Sequence, residues 1–356
     1  MLTALDDVPM GFAKRPPISK VPTPAGSDNS YSAPDGGMRE FRGWCCLVVG
    51  ELEMSGQEGP DFICIGMPKA GTGWLFDQLQ YHPDFWMPPV KELHYLNRDT
   101  PRMRNVSKRL ERAQQRGDSA KEKKRRKDKP RRHKIANRRP GDERDLRFLE
   151  DAGAARGQPM DLARYASLFR HKGDLLSGDI SPGYCQLADE VIQRIALGLP
   201  EAKIVLLVRD PVARAWSRIN MSYRDGKFDE RLVDDPDGFR RYLEGSDKIQ
   251  RRSLPSRIME NWQRCAPQLR FRHFLFDDIV DEPEKARAEI LTFLGADPAK
   301  KSGELPAGYN RKASAKKLTL TPDAKAVLVD HFRNELKVCA ELFGGHARKW
   351  AANYGV

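Results

Sequence analysis

The chain has 356 residues, 39% hydrophobic and 31% charged, with a formal net charge of +12. That length supports one large domain, or one domain with appendages, and the longest apolar stretch near the start, Trp44 to Val49, is far too short to span a bilayer. The opening MLTALDDVPM has an acidic pair and no basic region before an apolar run, which argues against a secretory signal; the cytoplasm is the expected compartment, with peripheral membrane attachment left open.

The six cysteines, at 45, 46, 64, 185, 265 and 339, form no CxxC, and the seven histidines form no HxxxH. Reduced core thiols are expected, with no metal site. The charge is local. Arg102 to Arg147 holds 20 Lys and Arg against 7 Asp and Glu, which accounts for the whole excess. The rest of the chain is near neutral, so the overall basicity belongs to an insertion and not to the fold.

In chain order, residues 1–40 are rich in Pro, Gly, Ser and Asp without periodicity and read as a disordered leader. Residues 41–60 carry a short apolar patch and a polar turn. Phe62-Ile63-Cys64-Ile65 suits a buried strand, and Trp74 to Leu79 has the three-and-four spacing of a helix packed on a sheet. Between them lies Gly66-Met67-Pro68-Lys69-Ala70-Gly71-Thr72-Gly73. A strand, glycine-rich turn and helix N-terminus make an anion site, because outward amides and the helix dipole favour negative charge. The turn nearly matches the nucleotide-binding GxxxxGK[ST], but Thr72 follows Gly71 and the lysine comes two places before that glycine, so Mg-ATP chemistry of the Walker type is not expected.

After Val90 to Leu96, residues 102–147 form the basic insertion, with KEKKRRKDKPRRHK at its centre. It reads as a solvated excursion, or as a contact for an anionic surface or polyanion. No aromatic stacking pattern accompanies it, so no specific nucleic acid is expected. Asp161 to Phe169 is an amphipathic helix, Leu175 to Tyr184 a short strand and turn, and Leu187 to Leu197 a further helix. Lys203 to Val208 is the clearest central strand, apolar without alternation, and Asp210-Pro211 starts the next helix. Ile258 to Cys265 is helical, Leu269 to Phe276 a strand, Pro283 to Leu294 a helix closed by Gly295, and Pro322 to Phe343 a last long helix or helix pair. The alternation predicts a single α/β domain with a central parallel sheet, made of residues 41–101 and 148–350.

Two segments together carry a more specific identity. Pro68-Lys69-Ala70-Gly71-Thr72-Gly73-Trp74 resembles the 5′-phosphosulfate loop, and Arg209-Asp210-Pro211-Val212-Ala213-Arg214-Ala215-Trp216-Ser217 the 3′-phosphate motif, of sulfotransferases that use 3′-phosphoadenosine 5′-phosphosulfate (PAPS). The chain looks closest to their carbohydrate, heparan-sulfate-like branch and its bacterial relatives. The resemblance implies a P-loop-like sulfotransferase fold with PAPS as sulfuryl donor, no metal, and a carbohydrate or small-molecule acceptor. It places Lys69 at the leaving phosphate, with Ala70, Gly71, Thr72, Gly73 and Trp74 along the 5′-phosphate. Arg209 and Ser217 take the 3′-phosphate. Arg214 reads as a surface ion-pair partner ahead of a further ligand of that phosphate. Lys91-Glu92-Leu93-His94-Tyr95-Leu96 resembles the segment in which a glutamate is the base, so Glu92 is the first candidate and His94 the second. Lys91, and Ser181 and Tyr184 of Gly178-Asp179-Ile180-Ser181-Pro182-Gly183-Tyr184, are implied on the substrate side, although relatives often have lysine where this chain has Ile180. The late loop supplies Arg311 and Lys312 for the 3′-phosphate but lacks the usual glycine. The competing readings are a P-loop small-molecule kinase and a non-catalytic polyanion-binding protein on the same fold.

Overall fold

The computed structural model describes residues 59–101, 103, 106–111, 143–300, 305–308 and 317–356. The expected leader, the centre of the basic insertion, and Arg311 and Lys312 lie outside the described residues. The frame is β1 (Phe62–Gly66), α1 (Thr72–Gln80), α2 (Glu143–Ala155), β2 (Gly178–Ile180), α3 (Asp189–Gly198), β3 (Lys203–Val208), α4 (Pro211–Arg224), β4 (Phe271–Leu275), α5 (Phe276–Asp281), α6 (Pro283–Leu294), α7 (Pro322–Phe343) and α8 (Gly345–Tyr354).

The four strands pair in the order β2-β1-β3-β4, all parallel. Phe62 to Ile65 and Ile204 to Val208 are fully buried. Successive strand residues point to opposite faces, so both faces of the sheet centre are covered, as a parallel sheet requires. The chain leaves β1 for β2 on one side and then crosses to β3 on the other. The topological switch point therefore lies between β1 and β3, where ligands of open α/β sheets bind beyond the strands' carboxyl ends. Both sequence motifs begin there: residues 67–71 follow β1, and Arg209-Asp210 follows β3.

Local chemistry explains the element ends. Asp210 caps α4 by accepting from the Val212 amide at 2.8 Å, and Pro211 fills the first helical position, where no amide is needed. Gly295, at φ 92°, ends α6 in the left-handed conformation. Phe85-Trp86-Met87 contributes a single parallel bridge, from Phe85 to Leu176. The segment stays short because Trp86 turns into the core and donates its indole N–H to Asp145 of α2, at 3.1 Å. Residues 225–253 hold a helix at Pro236–Glu244 and shorter turns. Among the described residues no helix is long and apolar enough to cross a membrane.

Gly178 of β2 lies flat against Phe62 of β1, and a Cβ there would collide with the Phe62 ring and its carbonyl oxygen. Backbone cannot yield as a flexible side chain can. Gly178→Ala is expected to destabilise the fold by about 2–3 kcal/mol, as overpacking of a core does, read as a lower urea midpoint with an unchanged slope.

Candidate functional site

The two motifs meet through the first loop's own carbonyls. Arg209 donates from Nη1 to the Lys69 carbonyl at 2.8 Å, and Arg214 from Nε to the Pro68 carbonyl at 3.3 Å. Lys69 takes a left-handed φ of 76°, which an L residue adopts at a cost. Phe276, at the start of α5, supports the junction. The Arg209 guanidinium lies 4.5 Å from its ring centroid, and a Cβ on Gly71 would come within 3.1 Å of the same ring. Gly71 caps α1 at φ 92° without a side-chain hydrogen bond, and the first turn of α1 has no acidic residue. The dipole end of α1 thus carries no negative side chain of its own first turn, the arrangement that favours an anion.

Arg214 corrects its expected place. It is 1% exposed, and beyond Pro68 it donates to the carbonyls of Lys248 and Ile249 at 3.3 Å and to Ser253 Oγ at 2.7 Å. Burial pulls its guanidinium down to about 9, so it stays charged at neutral pH. It is a buried brace, not a surface partner, because the face of α4 that carries it is turned inward. The Ala70 amide, expected on the phosphate, donates within the turn to the Met67 carbonyl at 3.2 Å.

The remaining residues expected at the donor lie on or beside α1 and α4. Lys69 Nζ lies 3.8 Å from Met221 Sδ, and Ser217 precedes Met221 by one helical turn on the same face. A Cβ at Gly73 would meet nothing within 4 Å. Trp74 and Gln78 of α1 donate to the Ala307 and Pro306 carbonyls, the latter at 3.0 Å, while Asn220 of α4 accepts from the Leu318 amide at 2.7 Å. Trp74 therefore anchors the described end of the late loop.

The residues expected to take the acceptor's proton lie in one short segment, Lys91 to Asn97. Lys91 Nζ donates to Glu92 Oε1 at 2.6 Å and reaches Thr72 Oγ1 at 3.4 Å, linking it to the first turn of α1. Glu92 Oε2 lies 3.3 Å from His94 Nε2, and His94 Nδ1 lies 2.9 Å from Asn97 Oδ1. Asn97 gives its amide nitrogen to the Gly183 carbonyl at 3.0 Å, which fixes its oxygen toward the histidine. Both ring nitrogens of His94 thus face acceptors, and the ring is arranged as a double donor, an imidazolium. Burial pushes the Glu92 carboxyl up, but the hydrogen bond from His94 and the Lys91 ammonium outweigh it and bring it down to about 2. The Glu92 carboxylate in turn raises His94 above its ordinary value, against the opposing effect of burial. Of the two candidates, Glu92 is the one with lone pairs to take a proton.

Ser181 and Tyr184 do not face outward. Both are fully buried, and their hydroxyls are bonded to Asp179 and to amides of residues 94–96. Their expected place against a substrate is replaced by one beneath the Glu92–His94 segment, because a buried hydroxyl must find partners inside the protein. Sequence reasoning missed Phe276, Asp179, Asn97 and Tyr354, whose hydroxyl donates to Asp210 at 2.6 Å. For Asp179 a signal existed, since it sits within a quoted motif, and Asn97 directly follows another. Phe276 and Tyr354 come from distant chain and carried none.

Because His94 is raised, the contact's contribution to stability is complete below the ordinary imidazole range and is lost as pH rises through the folded value. Because Glu92 is depressed, its contribution is complete above the ordinary carboxylate range and is lost as pH falls toward 2. Glu92→Gln removes the anion that holds the His94 proton, so NMR of labelled histidine is expected to show His94 losing its proton at lower pH in the variant. An unmoved titration contradicts the pairing.

A model of the Sulfotransferase family matches residues 60–299. Among solved structures, a sulfotransferase from Alicyclobacillus acidocaldarius is 19% identical with a TM-score of 0.52, covering 82% of this chain and 98% of its own. The sulfotransferase domain of the Synechococcus PCC 7002 olefin synthase is 18% identical with a TM-score of 0.42, covering 77% and 95%. No curated protein matches the chain significantly.

Proposed function

The chain belongs to the sulfotransferase family, and from that premise we propose that it moves the sulfuryl group of PAPS to a hydroxyl or amine of an acceptor, a carbohydrate or glycoconjugate by its motif likeness. The observation that carries this reading is the bond from Arg209 to the Lys69 carbonyl, which holds two basic turns side by side at the sheet's switch point. A donor phosphorylated at both 3′ and 5′ positions needs two anion sites in one cleft. The residues present suit it. The N-terminal end of α1, Thr72, Lys91 and Lys69 would hold the 5′ end, and Arg209 with Ser217 the 3′ phosphate.

Bound, PAPS supplies a sulfuryl group on a phosphate leaving group. Lys69 provides positive charge where the leaving phosphate gathers negative charge. Glu92 accepts the proton of the attacking acceptor. Its carboxylate is ionised at neutral pH, and the acceptor's proton becomes acidic enough for it only as the new bond to sulfur forms, which ties proton transfer to attack. His94 and Lys91 hold the carboxylate in place and are not themselves proton acceptors in this arrangement. The side chain of Glu92 is 39% exposed and that of His94 45%, so an acceptor arriving from solvent can reach both.

Calorimetry is expected to show 3′-phosphoadenosine 5′-phosphate (PAP) binding more tightly than ATP. With labelled PAPS and a panel of saccharides and phenols, Glu92→Gln should leave PAP binding unchanged and lower transfer by about 10²–10⁴-fold, the usual worth of a general base. Preference for ATP would point to a kinase, and full turnover by Glu92→Gln would remove the base assignment.

A further inference from the structure

Beneath the Glu92–His94 segment lies a carboxylate with no direct part in the chemistry. Asp179 of β2 is 2% exposed and accepts three hydroxyl hydrogen bonds: from Ser181 on Oδ1 at 2.7 Å, and from Tyr184 at 2.7 Å and Tyr165 at 3.2 Å on Oδ2. Burying a carboxylate is costly unless its lone pairs are satisfied, and burial raises its proton affinity against the pull of these hydroxyls. Two of the three hydroxyls pass the interaction on. Ser181 Oγ accepts from the His94 amide at 3.1 Å, and the Tyr184 hydroxyl accepts from the amides of Tyr95 at 3.0 Å and Leu96 at 3.3 Å.

The order of donors matters. A hydroxyl can give or take, whereas an ionised carboxylate only takes. With Asp179 ionised, Ser181 and Tyr184 must each give their one hydrogen to it and turn lone pairs outward. They then present acceptors to three successive amides. Those amides follow Glu92 at φ 63° and include His94 at φ 52°, two non-glycine residues in the left-handed region. Such a backbone is strained for an L residue and persists only where its surroundings enforce it.

We propose that Asp179 is a positioning residue: through Ser181 and Tyr184 it fixes the backbone of residues 94–96 and so sets Glu92 against His94. This rests on the reading of Glu92 as the base, but the network itself is tested without substrate. Tyr165 is the internal control, since its hydroxyl bonds the same carboxylate oxygen, while the bonds that reach the loop amides run through Ser181 and Tyr184.

The experiment uses the full chain and four variants: Asp179→Asn, Ser181→Ala, Tyr184→Phe and Tyr165→Phe. Ser181→Ala removes one link only and stands in should Asp179→Asn fold poorly. Amide hydrogen exchange is expected to quicken about tenfold or more at residues 94–96 in Ser181→Ala and Tyr184→Phe, the loss of one or two buried hydrogen bonds, with β1 and β3 amides unchanged and Tyr165→Phe like the parent. In NMR of labelled histidine, His94 should release its proton at lower pH in Ser181→Ala and Tyr184→Phe as Glu92 drifts from it. The charged groups that act on this ring are Glu92 and Asp179, and both remain in those two variants. PAP binding should stay within about twofold, since the donor loops are untouched. The proposal is overturned if exchange at 94–96 is unchanged, if it quickens equally across β1 and β3, or if Tyr165→Phe disturbs His94 as much as Tyr184→Phe. Absence of sulfate transfer in the parent would contradict the functional reading and leave these outcomes intact.

Discussion

Arg209, just after β3, and Arg214, in α4, hold two consecutive carbonyls of the first loop, those of Lys69 and Pro68, and this pair of contacts is the constraint the site depends on. A loop after a β-strand is free to lean in several directions. Here its carbonyls are drawn toward α4. Charge-assisted hydrogen bonds of this kind are stronger than neutral ones, and Arg214 reaches its partners from a site where water cannot compete. The sheet order sets up the meeting, since β1 and β3 are neighbours across the switch point. The arginines then convert neighbouring turns into a single basic wall, with Phe276 as the floor under both Gly71 and Arg209.

A second layer of organisation lies on the β2 side. There the backbone of Glu92 and His94 is left-handed, and the structure spends buried polar groups to keep it so. Sites of this type concentrate strained backbone and buried ionisable groups in the same few residues. Lys91 joins the two halves by touching both Thr72 and Glu92. The residues proposed for the donor and for the acceptor's proton are therefore connected through one ammonium.

Much of this was legible in the sequence because it is local. The apolar run Lys203 to Val208, the Asp210-Pro211 helix start and the Gly295 stop each follow from residues within one turn of one another. The glycine-rich turn between β1 and α1 was legible for the same reason, as was the departure of Lys69 from the Walker position. What stayed hidden is long-range polar pairing. Arg214 looks like a surface charge because arginine on an amphipathic helix faces water, until 34 to 39 residues later Lys248, Ile249 and Ser253 surround it. Ser181 and Tyr184 sit in a recognised segment, yet whether a hydroxyl faces a substrate or a buried Asp179 is decided by strand pairing that composition cannot convey. Tyr354, 144 residues beyond Asp210, carries no local mark at all.

The central claim is that one cleft grips both phosphate ends of the donor, with Arg209 serving the 3′ end. Calorimetric titration of adenosine 3′,5′-bisphosphate and of adenosine 5′-monophosphate into the parent and into Arg209→Ala tests this as a cycle. The account predicts that the parent strongly prefers the bisphosphate and that the variant loses most of that preference while binding the monophosphate nearly as before. Equal binding of the two nucleotides by the parent, or an undiminished preference in Arg209→Ala, would contradict it.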